Sequence, residues 1–452
     1  MEAMITSHVP SQHDYRIGAG TVSTDEWLNA FTATPETGGY QQQGDLHPGW
    51  QSWLDQALTT PASSRQERRY LLDWYAVRWV LVADGTPYRT EPGAFRLVEY
   101  RDQPIDASLF EVRSPTPIAT ASNAPLALFI GDMAAYDLML QALAAGEIDS
   151  RKLIVVYGGR TASSYTSASL RRFGEVMLYG QPQSTAAAGR LARYVSDGGR
   201  LVLDEGEGAS LLPTYTGSVG PLRGAGVGPS WEFKDSEPSD VPPRLLKRLP
   251  PPDYAGTGQW GVMNPEHLTP TCRPLVQARG QVVLVSCRDG AGQVLWSGLN
   301  LPYLAASTQS AAAGQLLGVL ATGTVHPSTQ DKTVTFERVD SEDLRFGVPK
   351  GATTLLVRQY VSPDWHATDM KTGGALRLMS AGPGMTLVLL HGATSVELTY
   401  ELSSSEVLGI WTSVGGLVIL LLYVLGIDLP VRRRLRSSKL APRRTSSLST
   451  ES

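Results

Sequence analysis

Cysteine and histidine are scarce in this chain of 452 residues, with two Cys, at 272 and 287, and seven His. No His cluster stands near either cysteine and H-E-x-x-H does not occur, so no metal site is expected. There is no Walker A sequence and no G-x-G-x-x-G fingerprint, and no cofactor is expected. Between residues 123 and 324 neither G-x-C-x-G nor G-x-S-x-G occurs, so the strained turn that carries a nucleophile in α/β hydrolases and amidotransferases is missing. The opening M-E-A-M-I-T-S-H-V-P-S-Q-H-D-Y-R has no apolar core and no cleavage site, which excludes a signal peptide there. No internal repeat is obvious.

Long apolar runs are also rare, and one stands out. Val407 to Ile427 reads V-L-G-I-W-T-S-V-G-G-L-V-I-L-L-L-Y-V-L-G-I, uncharged until Asp428. At about 1.5 Å per residue this run reaches roughly 31 Å, near the thickness of a bilayer core. Trp411 and Tyr423 stand near its ends, as interfacial rings do. The expectation is one transmembrane helix; the alternative is a buried core helix.

The tail after Asp428 holds Arg432, Arg433, Arg434, Arg436, Lys439, Arg443 and Arg444 against Asp428 and Glu451, a formal charge of +5. The rest of the chain carries 32 basic and 41 acidic residues, or −9, consistent with −4 overall. By the positive-inside rule the tail is cytoplasmic and the bulk extracytoplasmic, at a bacterial plasma membrane. A basic run could bind nucleic acid, but beside a span it sets topology or touches anionic lipid, so the bilayer is the expected partner. Nothing before Val407 could span a membrane. The charge pattern therefore implies that earlier helices of a longer polytopic protein, or a separate membrane subunit, hold the N-terminal region outside.

Charged residues make up 18% of the chain, and 45 Gly with 30 Pro mark it as loop-rich but globular. Residues 1–122 form a Trp-rich extracytoplasmic α+β region, with Val77–Val82 and Phe95–Tyr100 as neighbouring strands. Its tryptophans suit sugar stacking, or equally a core or membrane anchor. Residues 123–324 alternate strands and helices. Leu126–Gly131 is a buried strand, Ala134–Ala145 a helix, and Leu153–Gly159 the next strand. A helix over Ser184–Ser196 follows, stopped by Gly198-Gly199. Strands Leu201–Leu203 and Val282–Val285 complete a mostly parallel sheet covered on both faces. Residues 331–404, with strands in T-V-T-F-E-R-V, T-T-L-L-V-R-Q-Y-V, A-L-R-L-M-S, M-T-L-V-L-L and S-V-E-L-T-Y-E-L, read as a small β-sandwich. The span, 407–427, and the basic tail, 428–452, end the chain.

If Arg279-Gly280 makes a two-residue turn, Ala278 faces Gln281 and Cys272 faces Cys287. In an oxidising compartment that pair could bond. Pro274 interrupts the first strand, and two buried thiols remain the alternative.

After Leu203 the chain reads Asp204-Glu205-Gly206-Glu207-Gly208, placing carboxylates at the C-terminal end of the sheet, where α/β proteins bind ligands. Glu205 and Glu207 are candidates for a sugar hydroxyl or a cation; a solvated acidic loop is the plain reading. Trp296 and Asn300, in G-Q-V-L-W-S-G-L-N-L-P-Y, are the further ligand-binding candidates. No catalytic residue is identified.

The helix, double Gly and strand of residues 184–203 are similar to the core of class I glutamine-amidotransferase-like, flavodoxin-like domains. H-P-G-W-Q-S-W-L-D-Q-A-L, Y-L-L-D-W-Y-A-V-R-W-V-L-V and the stretch from Ser362 to Tyr423 together resemble the C-terminal half of 6-pyruvoyl-tetrahydropterin-synthase-related bacterial membrane proteins. These are similar to the YfhO-like family and are relatives of GT-C-type glycosyltransferases. The resemblance covers most of the chain and is strongest at Trp365 and from Pro383 to Leu425. It implies a transferase using a lipid-linked sugar donor, whose acidic catalytic residues lie in loops between early helices that this sequence does not contain. The residue patterns together give a fold class of α/β plus β: a parallel-sheet domain similar to flavodoxin-like (amidotransferase-like) ones, a C-terminal β-sandwich and one transmembrane helix. Two functions stand side by side: a non-catalytic part of such a transferase, or a membrane-tethered, non-enzymatic glycan-binding or scaffold module.

Overall fold

The computed structural model describes residues 48–60, 63–83, 85–101, 106–180, 184–204, 219–223, 233–235, 241–250, 259–263, 265–278, 281–322, 332–339, 343–401 and 404–424, together with 5, 7–9, 14–19 and 37. By contacts, Met1–Thr399 is one compact unit and Tyr400–Ser452 another.

The first elements are β1 (Arg16–Ala19), α1 (Pro48–Thr59), α2 (Arg65–Trp74), β2 (Val77–Val82), α3 (Thr86–Arg89), β3 (Phe95–Arg101) and β4 (Ala107–Val112). Ser64 starts α2 by accepting the amide of Glu67 at 3.1 Å, a capping contact that satisfies one orphan donor. The four strands order as β1-β2-β4-β3. Val77–Val82 and Phe95–Arg101 are therefore not neighbours as expected, because β4 lies between them. Burial gives the reason: β2 is buried at five of six positions and needs strands on both sides, whereas half-exposed β3 tolerates an edge.

The chain continues through β5 (Ala119–Ser122), β6 (Leu126–Ile130), α4 (Met133–Ala145), β7 (Ile154–Tyr157), α5 (Ser167–Leu170), β8 (Glu175–Tyr179), α6 (Thr185–Ser196) and β9 (Arg200–Asp204). After these come β10 (Val219–Arg223), β11 (Phe233–Asp235), α7 (Pro243–Leu246), β12 (Gln259–Met263), β13 (Cys272–Ala278), β14 (Gln281–Asp289), β15 (Gly292–Ser297), α8 (Leu301–Thr308) and α9 (Ala311–Thr322). Strands β7, β6, β8, β9 and β15 lie side by side and parallel in that order. Their apolar runs are buried almost throughout, as sheets covered on both faces require. Each fully buried Leu, Val, Ile or Phe contributes about 1.5–3 kcal/mol. On α6 the face Ala187, Leu191, Tyr194 and Val195 is buried, and Gly198, at φ +105°, turns the chain out of the helix. Beyond β15 the sheet goes on antiparallel through β14 and β13.

The last strands are β16 (Lys332–Thr333), β17 (Thr335–Arg338), β18 (Asp343–Gly347), β19 (Thr354–Tyr360), β20 (Trp365–Asp369), β21 (Ala375–Ala381), β22 (Met385–Leu389) and β23 (Ser395–Tyr400). Among them β17, β18, β23 and β20 pair in that order, while β16, β19, β21 and β22 adjoin the earlier strands. β19 pairs with β5 on one side and β22 on the other, and Ala381 of β21 meets Val156 of β7. The five parallel strands are thus not a domain followed by a separate sandwich: among the described residues they and the antiparallel strands join in one mixed network of 19 strands. The edge of the parallel strands at β7 offers unpaired backbone groups, and the antiparallel strands adjoin it there.

A second expectation is corrected at the C-terminus. Ser404–Val424 forms helix α10, whose apolar side chains from Val407 to Leu421 are exposed. Among the described residues no helix is long and apolar enough to cross a membrane. The helix as described covers Ser404–Val424 and opens with polar Ser404-Ser405-Glu406, and residues 425–427 of the expected span lie outside the described residues. The apolar part of the helix includes Thr412, Ser413 and three Gly. The single C-terminal span is thus not upheld, nor is the plasma-membrane localisation and orientation built on it. Arg432, Arg433, Arg434 and Arg436 lie outside the described residues.

Candidate functional site

In doubly wound α/β sheets ligands sit outside the carboxyl ends of the strands, where the order reverses. Here that point lies between β6 and β8. Gly131 follows β6 and donates to Gly159 O at 3.0 Å; Gly180 follows β8 and donates to Asp204 O at 3.0 Å. Asp132 accepts the amide of Ala135 at 2.8 Å and caps α4, so its carboxylate serves the helix.

Four further polar groups converge at the ends of β8, β9 and β15 and the start of α8. Asn300 sits in the left-handed region, φ 48° and ψ 53°, just before α8, and its side chain makes no capping bond. It instead accepts a hydrogen bond from the Tyr179 hydroxyl at the end of β8. The missing cap comes from the neighbouring strand, since Asp204 Oδ2 accepts the amide of Leu301 at 3.0 Å. Pro302 follows in the first turn, where the absent N–H costs nothing. Ser297 Oγ accepts the amide of Leu299 at 3.2 Å and holds the turn between β15 and α8. Tyr179, Asp204, Ser297 and Asn300 thus anchor α8 to the strand ends.

Asn300 is 1% exposed and Trp296 2% exposed. Trp296 stands opposite Leu203 on one side and Val285 on the other, inside the core. Its indole Nε1 has no hydrogen-bond partner among the described residues. Neither residue presents a surface on which a sugar could stack. Glu205 and Glu207 lie outside the described residues.

The two cysteines are joined in a disulfide, Cys272 facing Cys287, with Ala278 facing Gln281 in the same hairpin. Their strands, β13 and β14, are antiparallel neighbours. Pro274 is accommodated at an irregularity in the register between Pro274 and Val276.

One buried acid stands at the opposite, N-terminal edge of the parallel strands. Glu175 opens β8 at 1% exposure and lies 3.0 Å from Arg200 Nε, at the start of β9. Burial pushes its carboxyl well above the usual carboxylate range, with the Arg200 charge opposing. Sequence reading gave no sign of this pair, because the two residues stand 25 positions apart and meet only through the β8–β9 register. Among the described residues no group of three or more His, Cys, Asp or Glu could hold a metal.

No protein-family model matches the chain. No curated protein matches it either. The resemblance to GT-C relatives therefore gains no support from sequence comparison. Among solved structures the chain is similar to several at low identity. A cytoplasmic protein from Salmonella typhimurium LT2 is 14% identical over 44% of this chain and 99% of its own, with a TM-score of 0.31. A β-galactosidase from Bacillus circulans is 12% identical over 59% of this chain and 41% of its own, with a TM-score of 0.27. A ThuA-like protein from Parabacteroides merdae is 12% identical over 44% of this chain and 90% of its own, with a TM-score of 0.26.

Proposed function

We propose that this chain is a non-enzymatic, glycan-binding or scaffold module. The observation that carries this reading is the use of the strand-end polar groups. In active α/β enzymes this is where a nucleophile and its base stand free to meet substrate. Here Asp204 caps α8, Asn300 holds Tyr179, and Ser297 holds the turn between them. Each group stabilises the scaffold, and removing one costs stability rather than turnover.

The test is an activity screen on the purified full chain, with aryl glycosides, aryl esters and a lipid-phosphate sugar donor. No turnover above buffer is expected, and Tyr179→Phe is expected to lower the melting temperature while leaving binding to a glycan microarray intact. Turnover by the chain that disappears in Asp204→Asn, in a folded protein, would overturn the reading.

A further inference from the structure

The face of the sheet beside the disulfide carries a row of cations. Arg273 on β13 stands opposite Ser286 on β14. Two residues along β14, and so on the same face, Arg288 stands opposite Gln293 on β15. Gln293 in turn stands beside Arg200 on β9. Gln293 Nε2 donates to Ser286 Oγ at 2.7 Å, which confirms that these side chains share one face. Asp289, the next residue, falls on the other face by strand alternation.

This row borders an open cavity of about 790 Å³, lined by Arg200, Arg273, Arg288, Thr271, Ser286 and Gln293 together with the glycines of the two flanking turns. No carboxylate is among the described lining residues. Gly292 lies so close to the α6 end that a Cβ there would come within 2.0 Å of Val195 O, so bare backbone closes that side. Arg273 and Arg288 are exposed, and Arg200 is partly covered beside Glu175. Both exposed arginines directly follow the bonded cysteines, so the disulfide ties together the strands that present them. From the register, Arg273 and Arg288 are diagonal neighbours about 7–8 Å apart at Cα. Arg288 and Arg200 are two strand spacings, about 10 Å, apart.

We propose that this arginine row is a binding site for ligands carrying two or more phosphate groups in a chain. Planar guanidinium groups grip phosphate through paired N–H donors. Their spacing suits phosphates strung along an extended oligomer more than a single compact anion. The proposal deepens the binding-module reading by naming the ligand chemistry, and it rests on that reading only for its biological context. A soluble polyphosphate and a phosphate-bearing glycan polymer present the same groups.

The experiment is a calorimetric titration of the full chain with inorganic tripolyphosphate, with poly(glycerol phosphate), and with a neutral glucan of similar length. The wild type is expected to bind at least one phosphate probe below ~1 mM, more weakly as salt rises, and to ignore the glucan. Tighter binding of the polymer points to a phosphate-bearing glycan, and tighter binding of tripolyphosphate to a soluble polyphosphate. The double variant Arg273→Gln, Arg288→Gln is expected to lose affinity about 10-fold with an unchanged melting temperature, since both side chains are exposed. Arg160→Gln with Arg172→Gln removes the same charge elsewhere and is expected to stay within about twofold. Absence of phosphate binding, equal affinity for the glucan, or an equal loss in both double variants would overturn the site. Such a failure would leave the activity screen untouched, so the two ideas fail separately.

Discussion

The Arg358 guanidinium and the Asp73 carboxylate, 285 residues apart, are joined inside the protein through the Ser150 hydroxyl. Arg358 Nη2 donates to Ser150 Oγ at 2.8 Å, and Ser150 Oγ donates to Asp73 Oδ2 at 2.7 Å. Arg358 also reaches Asp73 O and Pro117 O at 2.8 Å each and Thr120 Oγ1 at 3.1 Å, and it has no solvent exposure. Thr116 and the Ser150 amide complete the shell of Asp73. One buried charge pair thus knots α2, β19 and the loop between α4 and β7.

Breaking that knot from one side leaves the other charge buried. Arg358→Met is expected to cost about 3–5 kcal/mol. The double variant Arg358→Met, Asp73→Leu is expected to cost less than the sum of the two single changes, by about 0.5–3 kcal/mol. Urea titrations of the four proteins check this, and strict additivity would count against the coupling.

Gly382 predicts a second sensitive position. Its φ is +51°, and a Cβ there would meet the Trp74 ring at 2.5 Å. Its carbonyl also accepts the Tyr136 hydroxyl at 3.0 Å. Gly382→Ala combines left-handed strain with overpacking and is expected to cost about 2–4 kcal/mol. Gly373→Ala, with a positive φ but open space, should cost less. Paired melting curves compare them.

The disulfide closes a separation of 15 residues. In the chain-entropy account such a loop stabilises by about 3 kcal/mol. Cys272→Ser with Cys287→Ser is expected to lower stability by that order, and reductant should then have no further effect on the melting temperature. A continued response to reductant would point to a cause other than this bond.

Glu175 predicts a pH dependence. Its folded carboxyl titrates above its unfolded value, near 4.3, because burial disfavours the charged form. Between those two values the native state binds more protons than the unfolded chain, so stability falls as pH rises through that window. Glu175→Gln removes the titrating group. Relative to the variant, the wild type is expected to lose stability as pH is raised above about 4.3. Parallel curves of melting temperature against pH for the two proteins would contradict the assignment.

Much of the local structure is legible without coordinates. The apolar runs at Leu126–Ile130 and Ile154–Tyr157 form strands, and the helix ahead of Gly198-Gly199 runs Thr185–Ser196. Alternation and a two-residue turn suffice to place Cys272 opposite Cys287. The arginine row left only a faint trace, the repeated Cys-Arg pairs at 272–273 and 287–288, and its third member on β9 left none.

Periodicity, turn chemistry and burial propensity act over a few residues, and these the amino-acid order determined by itself. Tertiary structure alone decided which strands share a sheet: β5 and β19 pair across more than 230 residues. It alone also turned Arg358, in a strand with two apolar faces, into a wholly buried cation. Pairing partners and buried charges depend on contacts between distant segments, whose energies no local pattern records.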